Sequence, residues 1–151
     1  MGMVLLMVIG GSPGSTAGGM KTTTAAVLFA MAISVFRKNE QAHLYNRRIA
    51  EETQRNAATI FVLYMMLFTG SAMVISYVEK VPLVTAFFET GSAIGTVGLS
   101  LGLTPTLCLA SRLILICLMF FGRVGGLTLI FATVSGKRTE YKYPQEKITV
   151  G

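Results

Sequence analysis

"LVTAFFETGSAIG", residues 83–95, runs straight into "TVGLS", residues 96–100. The first piece is apolar. As a helix it reaches only about 20 Å, short of the roughly 30 Å hydrocarbon core of a bilayer. Both of its neighbours are longer. Residues 56–78 are uncharged, and as a helix they measure about 35 Å, enough to span with some tilt. Residues 105–135 form a second long apolar span, broken by Gly122, Gly125 and Gly126. A half-length apolar piece between two full spans reads as a re-entrant helix that dips in and returns on the same side.

Composition agrees with a membrane setting. Of 151 residues, 52% are hydrophobic and 13% charged, with mean hydropathy +0.63. A soluble domain carries about 25% charged residues. The net charge of +6 would suit a nucleic-acid binder, but its distribution excludes that reading. Five Lys and Arg fall in 37–55 and four in 137–147, whereas 79–104 holds only Lys80. The positive-inside rule therefore puts 37–55 and the tail in the cytoplasm and 79–104 outside. The chain then crosses outward along 56–78 and back along 105–135, and 83–95 dips from the external side. The N-terminus lacks a basic n-region and a small-residue cleavage site, so it does not read as a signal peptide. Cys108 and Cys117 fall on opposite faces of one helix and cannot pair within it; they read as packing residues. His43 is the only histidine, so no Cys/His metal site is expected. Neither catalytic residues nor a resident cofactor are expected.

Helix, re-entrant helix, loop, helix is the plan of a cation-channel pore unit. A potassium filter is a row of backbone carbonyls that replace the ion's hydration shell. Such a row needs backbone angles with φ > 0, which Gly98 permits. The short helix also ends here, with its partial negative end toward a cation. Thr96, Val97, Gly98, Leu99 and Ser100 are thus the candidate filter, and the expected ligand is a transported K+.

At this point the chain resembles the Trk/Ktr/HKT superfamily of potassium transporters. "FFETGSAIG" with "TVGLS" and "LGLTP" looks like that family's fourth pore loop. "IGGSPGSTAGGMKTTT" looks like the interrupted inner helix of its third repeat. "FFGRVGGLTL" and the terminal "YPQEKITVG" look like its last helix and end. The Ser-Pro in "GGSPGST" and the "VG" terminus are most similar to the C-terminal part of a Ktr-type ion-conducting membrane subunit. The resemblance implies potassium uptake, with Na+ coupling left open. It also implies a homodimer of complete subunits and a soluble nucleotide-binding regulatory subunit docked on the cytoplasmic face. Family members carry four helix–loop–helix repeats. This sequence matches the back of the third and all of the fourth, so a fragment cut at the front is expected, with the third filter strand upstream of Met1.

The stretch "GGSPGSTAGGMKTTT", residues 10–24, lies between two greasy flanks. A phosphate-cradling loop of the form G-x-x-x-x-G-K-S/T requires glycine at 15 and 20, where the chain has Ser15 and Met20. Helix-contact glycines, Gly10 with Gly14 or Gly14 with Gly18, are a second reading. Pro13 and the density of glycine disfavour a continuous helix. Irregular backbone at membrane depth is tolerated only where protein or a water-filled cavity covers it, so this loop is expected to line the ion path. Ser12, Ser15 and Thr16 offer oxygens to a passing cation. The resemblance implies that such a loop acts as the gate beneath the filter, here Gly10, Gly11, Ser12, Gly14, Ser15, Thr16, Gly18 and Gly19. Lys21 opens the next half-helix and is expected to reach the cytoplasmic interface through its long stem.

Arg123 sits deep in the last span, where an arginine costs about 2.5–3.5 kcal/mol on insertion scales. It has two readings: a donor to carbonyls freed at the glycine breaks, or a contact to the glycine loop that holds the gate closed. The resemblance supports the second. Arg112 lies on nearly the same face, close enough to the outer end to snorkel. Glu89, inside the pore helix, is open between pairing with Lys80, pairing with a neighbouring repeat, and concentrating cations. Tyr141 and Tyr143 are expected at the membrane surface with the basic tail.

The expected fold is all-α, a polytopic protein of the cell membrane facing lipid. Its parts are an interrupted helix over 1–36, a cytoplasmic linker over 37–55, a pore repeat over 56–135 and a cytoplasmic tail over 136–151. Within the repeat the helices are 56–78, 83–95 and 105–135. The main rival is a non-conducting membrane remnant or assembly partner, since one filter strand cannot surround an ion. An unrelated transporter half is the other.

Overall fold

The computed structural model describes residues 2–37, 43–44 and 47–125. Its longest element is α3, Glu51–Glu79, about 44 Å at 1.5 Å per residue. Among the described residues it is the one helix long and apolar enough to cross a membrane. It starts earlier than the expected 56. Glu51, Glu52, Gln54 and Arg55 are good helix formers, and the two glutamates sit in the first turn, where the helix dipole favours them. It stops at Lys80, which turns left-handed at φ 54°.

Two residues later Pro82 opens α4, Leu83–Ile94. The Pro82 carbonyl accepts from the amides of Thr85 (3.0 Å) and Ala86 (3.2 Å), so the new helix starts at once at a fresh angle. This helix is about 18 Å long, matching the expected short piece. Two further short helices precede α3: α1, Gly2–Ile9, and α2, Thr22–Phe36. Among the described residues the last helix is α5, Leu109–Val124. Between α2 and α3 a two-residue antiparallel pair, β1 His43–Leu44 with β2 Arg47–Arg48, departs from a purely helical plan.

α4 is the hub. It packs on α3, α5 and α1, while α2 packs on α3. Every residue from Glu89 to Gly95 is buried, although the helix is only three turns long. The core joins Tyr64 and Ile75 of α3, Ala86 and Ile94 of α4, Leu115 and Leu118 of α5, and Val8 of α1. Tyr64 donates its hydroxyl to the Phe121 carbonyl at 3.4 Å, and the Phe68 and Phe87 rings meet at 5.1 Å. The outer faces stay apolar: Phe36 is 88% exposed, Leu109 76% and Leu6 71%. Apolar exposure on this scale marks a surface that meets something other than water. In lipid, helices associate through close packing at small residues, and α5 approaches α4 at Gly122, where a Cβ would lie 2.0 Å from Ile94 O.

The last span differs from expectation at its start and within. Pro105 sits in a 3₁₀ turn, Thr104–Thr106, and Leu107 and Cys108 are extended before α5 begins. Gly122 does not break the helix; α5 runs through it and ends at Gly125, φ 84°. The expected continuation over 126–135, the tail 136–151 with Tyr141 and Tyr143, and part of the 37–55 linker lie outside the described residues.

Candidate functional site

α4 hands directly into the "TVGLS" segment. Its last turn folds back on itself: Gly95 N–H donates to Gly91 O at 3.0 Å, Thr96 N–H to Ala93 O at 3.0 Å and Val97 N–H to Ser92 O at 2.9 Å. Thr96 then takes φ 52° and Gly98 φ 82°, while Val97 and Leu99 keep negative φ. In a regular strand successive carbonyls point to opposite sides. A change of hand at every second residue turns successive peptide planes the same way, which is the backbone requirement for a carbonyl-lined site. Val97, Gly98, Leu99 and Ser100 are exposed, and Thr96 is half-buried.

The glycine loop lies against the start of this segment. It spans residues 10–21 between α1 and α2 and is closed at its neck: Met20 N–H donates to Val8 O and Thr22 N–H to Gly11 O, each at 3.1 Å. Gly10 and Gly19 allow that closure. A Cβ on Gly10, φ 69°, would lie 2.1 Å from Gly18 O. From the neck the loop puts Ser12, Gly14, Ser15 and Thr16 on the surface and buries Gly18 and Gly19. Ser15 folds its hydroxyl onto Ser12 O at 2.8 Å. Gly18 N–H donates to Thr96 Oγ1 at 2.8 Å, joining loop to "TVGLS".

α5 closes the third side. A Cβ on Gly122 would sit 2.0 Å from Ile94 O, and one on Gly18 would sit 2.7 Å from the Thr96 side chain and 3.1 Å from Gly122 O. Three backbones therefore converge where only glycine fits. One residue on, Arg123 donates from Nη1 to Thr16 O. Of its two readings, the contact to the loop is the one this geometry contains. Arg112 donates to Pro105 O at 2.8 Å, near the N-terminal end of its helix. Lys21, φ 78°, turns its ammonium back to Ala17 O rather than away along its stem. Lys21, expected at the cytoplasmic interface, is thus a second cation bonded to a carbonyl of the loop.

Glu89 was not among the candidate site residues. It is 3% exposed, and its carboxylate takes hydrogen bonds from Ser100 Oγ (2.6 Å), Leu101 N–H (3.0 Å) and Thr104 Oγ1 (2.9 Å). Those partners replace the Lys80 pairing considered from sequence. A glutamate buried mid-helix beside a downstream "S…T" pair was the available signal. Glu79 accepts from Cys108 N–H at 2.8 Å, tying the end of α3 to the start of α5.

A buried half-length helix, a segment of alternating hand at its end and a glycine loop docked against it come together in one place. The family described as TrkH, cation transport protein, matches residues 1–141 of the chain, and the chain belongs to that family. It is 41% identical to the potassium/sodium uptake protein NtpJ of Enterococcus hirae, over 98% of this chain and 34% of that protein. It is 34% identical to the Ktr system potassium uptake protein B of Bacillus subtilis, over 98% of this chain and 33% of that one. The protein of the same name from Vibrio alginolyticus is 33% identical, over 99% and 33%. The chain spans about a third of the length of these curated relatives.

Proposed function

We propose that this chain supplies one filter strand and one gate loop to a potassium-conducting uptake subunit in the cell membrane. The observation that carries the reading is the alternating φ of Thr96, Val97, Gly98 and Leu99 at the end of a buried short helix. Thr96, Val97, Gly98, Leu99 and Ser100 present oxygens to K+. The loop with Gly10, Gly11, Ser12, Gly14, Ser15, Thr16, Gly18 and Gly19 narrows the path below, held by Arg123. The relatives' names, potassium/sodium uptake and Ktr system potassium uptake, support K+ as the cargo and leave Na+ coupling to experiment.

On this reading the protein is multi-pass, with 37–55 and 136–151 cytoplasmic and 79–104 outside. A ring of carbonyls needs several strands and this chain provides one, so conduction requires the remaining repeats. The complete subunit is proposed to be a homodimer that docks a cytoplasmic nucleotide-binding regulator. The test is a chimera: a full-length relative whose matching third is replaced by residues 1–151, expressed in a strain lacking potassium uptake. Growth at low potassium is the expected result. Correct membrane levels without K+ uptake would instead favour a packing or assembly role.

A further inference from the structure

We infer that Glu89 is the positioning residue for the outer end of the filter, and that its carboxylate helps set the preference for K+ over Na+; this rests on the filter reading above. A buried carboxylate is costly unless its oxygens are satisfied. Here all three donors come from one short segment, Ser100, Leu101 and Thr104, which begins at the last residue of the filter. That segment is also linked within itself: Gly102 N–H donates to Ser100 Oγ at 2.9 Å, and Thr104 Oγ1 lies 3.1 Å from Ser100 Oγ. Glu89 therefore fastens the returning chain to the helix from which the filter springs.

The filter is thus held at its ends. Thr96 is fixed by Gly18 and by the last turn of α4. Ser100 is fixed by Glu89. Between them Gly98 is left-handed, with no atom within 4 Å of where its Cβ would lie. The position of the intervening carbonyls then depends on where the two anchors stand. A carboxylate is acceptor-only and serves three donors with two oxygens. A glutamine has one acceptor oxygen and places an NH2 group against the hydroxyls. Ion discrimination depends on the size and field strength of the oxygen cage, so a loosened outer anchor changes the ratio of ion affinities as well as stability.

The experiment uses the chimera, with K+ and Na+ uptake measured at matched membrane levels. Glu89→Gln is expected to lower K+/Na+ discrimination about tenfold, or about 1.4 kcal/mol, and to raise the KM for K+. Thr104→Val removes one donor at an exposed position and is expected to shift the ratio in the same direction by about threefold. A purely structural role predicts lower membrane levels with ratio and KM unchanged, and that result overturns the inference. If Glu89→Gln fails to reach the membrane, Thr104→Val decides alone. Gly98→Ser in the same chimera separates the two readings. If it shifts discrimination while the Glu89 and Thr104 variants do not, only this inference fails. If it too has no effect, the filter reading fails with it.

Discussion

The amide of Gly18 donates to Thr96 Oγ1 at 2.8 Å, across 78 residues of sequence. Thr96 is β-branched and left-handed, φ 52°, a conformation that costs roughly 1–2 kcal/mol for a residue with a Cβ. Such strain persists where surrounding contacts over-determine it. The hydrogen bond from Gly18 and the bond from Thr96 N–H to Ala93 O are those contacts. The glycine loop and the "TVGLS" segment are therefore joined at Thr96.

Thr96→Val keeps the shape and removes the acceptor, leaving the buried Gly18 amide unpaired at a cost of about 1–3 kcal/mol. In the chimera it is expected to raise ion flux and lower discrimination, because the loop detaches from the filter. Thr96→Ser keeps the acceptor and should behave like the parent. Equal flux and selectivity in the Val and Ser variants would separate the loop from the filter.

Arg123 reaches the loop at Thr16 O. Arg123→Ala is expected to increase K+ flux at unchanged membrane levels, and deletion of residues 13–16, which keeps the glycines of the neck, should do the same. The readout is initial uptake rate. If neither change alters the rate, loop and arginine serve packing only.

The length of the apolar runs made the short helix at 83–94 legible, because run length is a local property, and glycine density did the same for the loop at 10–21. The partners of Glu89 were not legible. They lie 11, 12 and 15 residues downstream, on the far side of a segment whose path no local pattern specifies. Gly122 was read as a helix break because glycine disfavours helix by about 1 kcal/mol. In the fold the lack of a Cβ matters more, since it lets α5 approach Ile94 O. The start of α5 was placed too early for a related reason: Pro105 begins a separate 3₁₀ turn.

Gly122→Ala tests that close approach. Its Cβ would lie 2.0 Å from a backbone oxygen, which cannot yield as a flexible side chain would. Overpacking of a fitted core costs typically about 1–3 kcal/mol, and a backbone clash this close belongs at the upper end. Gly14→Ala, at an exposed site with nothing within 4 Å and no positive φ, is expected to be neutral. Thermal stability of the detergent-solubilised chimera compares the two. Equal melting temperatures would contradict the packing described for α4 and α5.

The chain expressed by itself is expected to give no potassium uptake, since one strand cannot enclose an ion. Growth of a potassium-uptake-deficient strain at low potassium measures this. Rescue by the isolated chain would mean that several copies assemble around one pore.

The central claim is that "TVGLS" selects the ion, and Gly98→Ser tests it most directly. The site has room for a side chain, so the effect comes from the left-handed backbone, φ 82°, and from intrusion on the ion path, not from a clash. The measurement is K+ and Na+ uptake by the chimera with and without the substitution, at matched membrane levels. The account predicts a higher KM for K+ and a K+/Na+ ratio reduced by about tenfold, equivalent to about 1.4 kcal/mol. An unchanged KM and ratio would contradict it.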